Sequence, residues 1–223
     1  MLNASFVRRF NAEQQDRVID TNGLPIRPVP MGKEGQRFDL VAELAFEIAA
    51  EENSVNRTGS PDLPAATKRV LTKIALLKGE PTISPPSAGE MAETNRLLTV
   101  YREFFRMFER PEFLFKPRIM GAGILDQMEG DFCTPEVLFE VKAVNRNLLS
   151  TDLRQVICYL IAGLGSHRYS WSQYCIFNPR LAIYYSGRID DLLTYASGKT
   201  PQDCISTVLD ALMEREQPLE IQF

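Results

Sequence analysis

The sequence predicts a mixed α/β fold, with a small sheet in its second half and a helical region ahead of it. Three stretches carry that expectation. Residues 121–144 hold two apolar segments, Gly123–Met128 and Val137–Val144, joined through the turn residues Gly130–Asp131 and Thr134–Pro135, which reads as a hairpin. After them, Thr151–Asp152 can cap a helix whose stripe is Leu153, Val156, Ile157, Leu160, Ile161 and Leu164. Ahead of both, residues 37–52 place Phe38, Val41, Leu44, Ala45 and Ile48 on one helical face.

Taken in order, residues 1–36 are mixed and turn-rich. Asn22–Gly23 is followed by Pro25-x-x-Pro28-x-Pro30, an extended segment that can pack as an arm across the body or dock a protein partner. In the helix of residues 37–52, Glu43, Glu47 and Glu51 line the face opposite the apolar one and read as a solvated acidic surface. Pro61–Asp62 sits in a Ser/Gly/Pro loop with no apolar strand around it. The next helix, about Pro64–Lys78, carries Lys68, Arg69 and Lys73 beside Val70, Ile74 and Leu77. Residues 79–89 are rich in proline and glycine and form the best linker candidate, which divides the chain into an accessory region, 1–88, and a core, 89–223.

Ser87 or Glu90 opens a helix to about Glu109, with Leu97, Tyr101, Phe104 and Phe108 as its core stripe. Phe113–Ile119 is expected as the first strand. Gln173–Phe177 and Leu181–Tyr185 are expected as a further pair joined at Asn178–Pro179–Arg180, with Trp171 and Tyr174 as packing residues. Thr200–Pro201-x-Asp203 has the residues of a helix start, and the final helix runs to about Arg215 before a terminal segment that could be an edge strand.

Charge at unusual places marks the candidate site. Side chains alternate across a strand, so Glu140 and Lys142 share one face while Phe139, Val141 and Ala143 share the other. Buried charges need partners, and Asp126 on the preceding segment is the simplest one. Gln155 and Tyr159, four residues apart, stack on one flank of the following helix. This order of Asp, Glu-x-Lys and Gln-x-x-x-Tyr resembles the PD-(D/E)XK nuclease superfamily over residues 90–186.

The resemblance implies a restriction-endonuclease-like αβββαβ core with an N-terminal helical region and a C-terminal helix. It implies a metal-dependent nuclease hydrolysing phosphodiester bonds, with DNA as the expected substrate and Mg²⁺ or Mn²⁺ as cofactor. Asp126, Glu140, Lys142 and Gln155 would be catalytic. Asp126, Glu140, the Val141 carbonyl and Glu93 would hold the metal, with Glu103 in reserve for Glu93. Arg146, Arg154 and Tyr159 would contact nucleic acid. Leu125, not proline, precedes Asp126, a departure that many members of the family share. The rival reading is an idle module of the same fold that binds protein or nucleic acid within a larger complex.

Composition bounds the alternatives. The formal charge of −4 gives no global basic field, so any nucleic-acid contact must be local. The single histidine, His167, argues against mechanisms that need two, and the four cysteines lack C-x-x-C spacing and read as reduced thiols. An intracellular protein, cytoplasmic or nuclear and without a membrane span, is therefore expected.

Overall fold

A computed structural model describes residues 4–13, 18–21, 24–32, 36–54, 60–108, 112–120 and 127–214. Among these are seven helices and, besides two short ribbons, one mixed sheet of five strands. The N-terminal part comprises α1 (Ala4–Glu13), the ribbon β1 (Asp20–Thr21) and β2 (Leu24–Pro25), then α2 (Phe38–Asn53) and α3 (Leu63–Lys78). There follow α4 (Ala88–Arg106), β3 (Leu114–Phe115), β4 (Arg118–Ile119), β5 (Met128–Glu129), β6 (Phe132–Cys133) and β7 (Val137–Val141). The chain closes with α5 (Ser150–Gly165), β8 (Gln173–Asn178), β9 (Ile183–Arg188), α6 (Ile189–Ser197) and α7 (Pro201–Glu214).

The sheet order is β3-β6-β7-β8-β9. β7 and β8 run parallel, with Glu140 opposite Ile176, and α5 is the crossover between them; the other pairs are antiparallel. Alternation along β7 divides the core. Phe139 and Val141 face a cluster with α2, α3 and α4, whereas Leu138 faces one with α5, α6, α7 and Phe10 of α1. The first cluster contains a group of packed aromatic rings: Phe104 stacks on Phe177 at 4.1 Å, and Phe132 on Phe139 at 4.5 Å. Helices on either side of residue 88 thus share one hydrophobic core.

Local chemistry explains the helix starts. Asp62, in the loop before α3, accepts from the Ala65 N–H as its N-cap. Ser87 and Glu90 form a reciprocal capping box on α4, and Arg37 grips Glu90 through Nε and Nη2 while Nη1 donates to the Ser84 carbonyl and Nη2 also to that of Pro85. The proline- and glycine-rich stretch is therefore tied to the body. The arm packs likewise, with Val29 N–H donating to the Arg180 carbonyl at 2.7 Å and Ile19 N–H to that of Ala182.

The strand expectations need two corrections. Phe113–Ile119 is not one strand: Lys116 adopts a positive φ of 52° before Pro117, and the segment breaks into β3 and β4, in separate ladders. The strand antiparallel to β7 is β6, with Phe132 opposite Phe139, while β5 pairs with β4. Both α1 and α6 lie where no helix was expected. Residues 215–223, with the candidate edge strand, lie outside the described residues.

Candidate active site

The site forms at the C-terminal end of β7, where apolar alternation gives way to charge. Glu140 is 3% exposed and sits opposite Ile176 inside the sheet. Lys142 follows the last β7 residue but keeps the ladder going, its N–H donating to the Phe177 carbonyl. Its Nζ reaches Glu140 Oε1 at 2.7 Å and Gln155 Oε1 on α5 at 2.7 Å. Gln155 Nε2 then donates to the Tyr159 hydroxyl at 2.8 Å, one turn further along the helix. The expected group of Glu140, Lys142, Gln155 and Tyr159 is one connected chain of hydrogen bonds.

The acid that joins them is Asp131. It stands just before β6, and its Oδ2 accepts the Val141 N–H at 2.6 Å, which fixes it beside Glu140. Burial pushes the Asp131 carboxyl well above the usual carboxylate range, and the Glu140 charge pushes it further. Burial also raises Glu140, against the pull of Lys142 and of a hydrogen bond with Asp131. The two carboxyls therefore titrate as a pair that can share a proton. Asp126 lies outside the described residues. Sequence reasoning treated Asp131 as turn chemistry, because Gly130–Asp131 is a common turn pair; its place immediately before the Phe132–Cys133 strand was the available signal.

The other candidates are distributed unevenly. Arg146 is held by Asp152 at 2.6 Å and lines the cleft at this end of the sheet. Arg154 is exposed and bonds the Ser150 carbonyl of its own helix. Glu93 goes elsewhere: it and Arg180 are both 0% exposed, with Oε1 and Nη1 2.6 Å apart. Neither side chain has a well-directed hydrogen bond among the described residues, so theirs is a contact of opposite charges. The physical reason lies in the stripe of α4, which faces inward at Glu93 and meets the β8–β9 turn carrying Arg180. Glu103 pairs with Arg106 one turn along.

Two groups that the sequence reading set aside belong to the cleft. Glu43 of α2 lines it together with Asp131 and pairs with Lys73 of α3 at 2.7 Å. Tyr101 of α4 also lines it, under the charges of Asp131 and Glu43. The cleft has a volume of about 600 Å³.

The donor set can be weighed against a divalent cation. Asp131 and Glu140 supply two converging carboxylates, and Lys142 engages Glu140 through Oε1. Hard oxygen donors of this kind suit Mg²⁺ or Mn²⁺. No set of three or more Asp, Glu, His and Cys side chains among the described residues gathers into a metal cage, so substrate and water oxygens would complete the shell. No described helix is long and apolar enough to cross a membrane. The chain matches no protein-family model, no curated protein and no solved structure.

Proposed function

We propose that this chain is a metal-dependent nuclease of the PD-(D/E)XK type, cutting DNA at the carboxyl end of β7. The observation that carries the reading is Lys142, bonded at once to Glu140 and Gln155 beside the Asp131–Glu140 pair. A scaffold has no use for a buried carboxyl whose cost of ionisation is raised by a second carboxylate beside it. The run α4, β3, β6, β7, α5, β8, with β7 and β8 parallel around α5, supports a restriction-endonuclease-like core.

A divalent cation held by Asp131, Glu140 and the Val141 carbonyl would neutralise the scissile phosphate and make a water more acidic. Lys142 would orient that water or a phosphate oxygen. Gln155 holds the Lys142 Nζ from the α5 side and is itself fixed by Tyr159. Arg146, at the cleft edge, would contact a neighbouring phosphate.

The idle-module reading has one observation in its favour. Cations around the cleft are neutralised within the chain: Lys142 by Glu140, Lys73 by Glu43, Arg146 by Asp152. A cleavage assay decides between the two, with Mg²⁺ or Mn²⁺, on linear, circular and single-stranded DNA and on RNA. Cutting that disappears in Asp131→Ala supports the nuclease; no cutting of any substrate, with metal binding absent as well, favours the module.

A further inference from the structure

The cleft beside the carboxylate pair has a wall that the cleavage chemistry does not use. Tyr101 is 1% exposed, yet its hydroxyl has no hydrogen-bond partner among the described residues. Leaving a buried donor unpaired is costly, and nothing in the packing of α4 demands a hydroxyl there, since phenylalanine would fill the same aromatic core. Burial, with the charges of Asp131 and Glu43 behind it, raises the phenol's pKa, so the group is a neutral O–H able to donate. Around it the cleft is apolar on its flanks, through Phe38, Phe46 and Val144, and carries acceptors at Glu43 and Asp39. A space of about 600 Å³ lies within the range of small-molecule sites.

We propose that this cleft receives one unpaired base of the DNA substrate, adjacent to the phosphate cut at Asp131 and Glu140. The proposal deepens the nuclease reading and rests on it. A base offers flat apolar faces to Phe38 and Val144, a carbonyl or ring-nitrogen acceptor to the Tyr101 hydroxyl, and an N–H to Glu43. A base still paired in a duplex has those edges occupied, so the favoured substrate is single-stranded or frayed DNA. Arg146, on the same cleft wall, is placed to take the phosphate that follows the base.

The experiment compares wild type, Tyr101→Phe and Ala42→Phe by fluorescence anisotropy. The probes are a labelled single-stranded oligonucleotide and its blunt duplex, with Ca²⁺ in place of Mg²⁺. Wild type is expected to prefer the single strand. Tyr101→Phe should weaken single-strand binding about two- to tenfold, the worth of one neutral hydrogen bond, and leave duplex binding unchanged. Its thermal midpoint should hold or rise, because a buried orphan donor is gone; a hydroxyl that serves only the fold would give the opposite shift. Ala42→Phe, which fills the cleft, should erase the preference. Equal wild-type affinity for both probes, or a Tyr101→Phe that binds like wild type, overturns the base pocket and leaves the nuclease reading standing. Failure of wild type to bind either probe removes both.

Discussion

The Asp131 carboxylate accepts the Val141 N–H at 2.6 Å, clamping an acid that precedes one strand onto the end of the next. That bond converts a turn residue into half of a carboxylate pair with Glu140. It also identifies the residue on which metal binding should depend. Asp131→Ala should lower Mn²⁺ affinity by at least tenfold and remove cleavage with it, since one of two charged ligands is lost. Calorimetric titration with Mn²⁺ checks this.

The same pair predicts a pH dependence of stability. Both carboxyls are raised in the folded protein, first by burial, with the Glu140 charge adding to the rise at Asp131. A raised folded pKa means that the native state holds the proton more tightly than the unfolded chain. This contribution is fully present below the unfolded carboxylate pKa and is lost as pH climbs through the raised values. Glu90 has the opposite sign, its carboxyl held far below the usual range by Arg37; its contribution is present above the unfolded pKa and lost on acidification. Asp131→Asn should therefore gain thermal stability relative to wild type as pH rises from about 4 toward neutral. Adding Mn²⁺ at neutral pH should close that gap by stabilising wild type alone. Melting curves across pH, with and without the ion, test both statements.

A third prediction concerns Glu93, which the family resemblance implied as a metal ligand and which meets Arg180 in full burial. Glu93→Ala leaves an uncompensated guanidinium inside the protein and should cost about 3–5 kcal/mol. Glu93→Met combined with Arg180→Leu should recover most of that loss, because apolar residues of similar volume avoid the desolvation cost altogether. Urea denaturation measures the stabilities. Mn²⁺ affinity of the folded double variant should match wild type, which a metal ligand at Glu93 could not allow.

How much of this was legible in the chain depends on whether a signal was local. Glu140, Lys142, Gln155 and Tyr159 could be read because strand alternation and helical spacing fix which side chains share a face. Their mutual bonds then follow from β7 and α5 packing together. Asp131 was hidden because the hairpin was given two full strands, whereas Pro117 and the positive φ at Lys116 chop this side of the sheet into two-residue pieces. The acid next to Glu140 is set by that shortened register and not by the apolar pattern. Glu43 was assigned to solvent on the ground that it faces away from the α2 stripe. Only the packing of α3 and the position of Asp131 turn that face toward a cleft, and neither is encoded in α2 itself. The helix α1 buries Phe10 and packs Phe6 and Val7 beside it, a pattern of three residues that is short against the turn-rich segment after it.

The last prediction separates binding from chemistry at Lys142. Its Nζ is shared by Glu140 and Gln155, and the Glu140 side chain is 4% exposed, so the lysine supplies the donor that makes this carboxylate tolerable in the sheet. Lys142→Met keeps much of the aliphatic stem and should preserve packing next to Val141 and Ala143. It removes the cation that balances Glu140, so the metal-free variant should be less stable by about 1–3 kcal/mol, the cost of an unsatisfied buried acceptor. A divalent ion can take over that balance, and Mn²⁺ should bind the variant at least as tightly as wild type, because a competing positive charge is gone. Cleavage should nevertheless fall by at least a hundredfold, since the group that orients water or phosphate is missing. Lys142→Arg restores charge without the same reach and should rescue stability more than activity. Calorimetry, melting curves and a cleavage assay on the same three proteins give the pattern. A Lys142→Met protein that cuts at the wild-type rate would remove Lys142 from the chemistry and leave it as the counter-ion of Glu140.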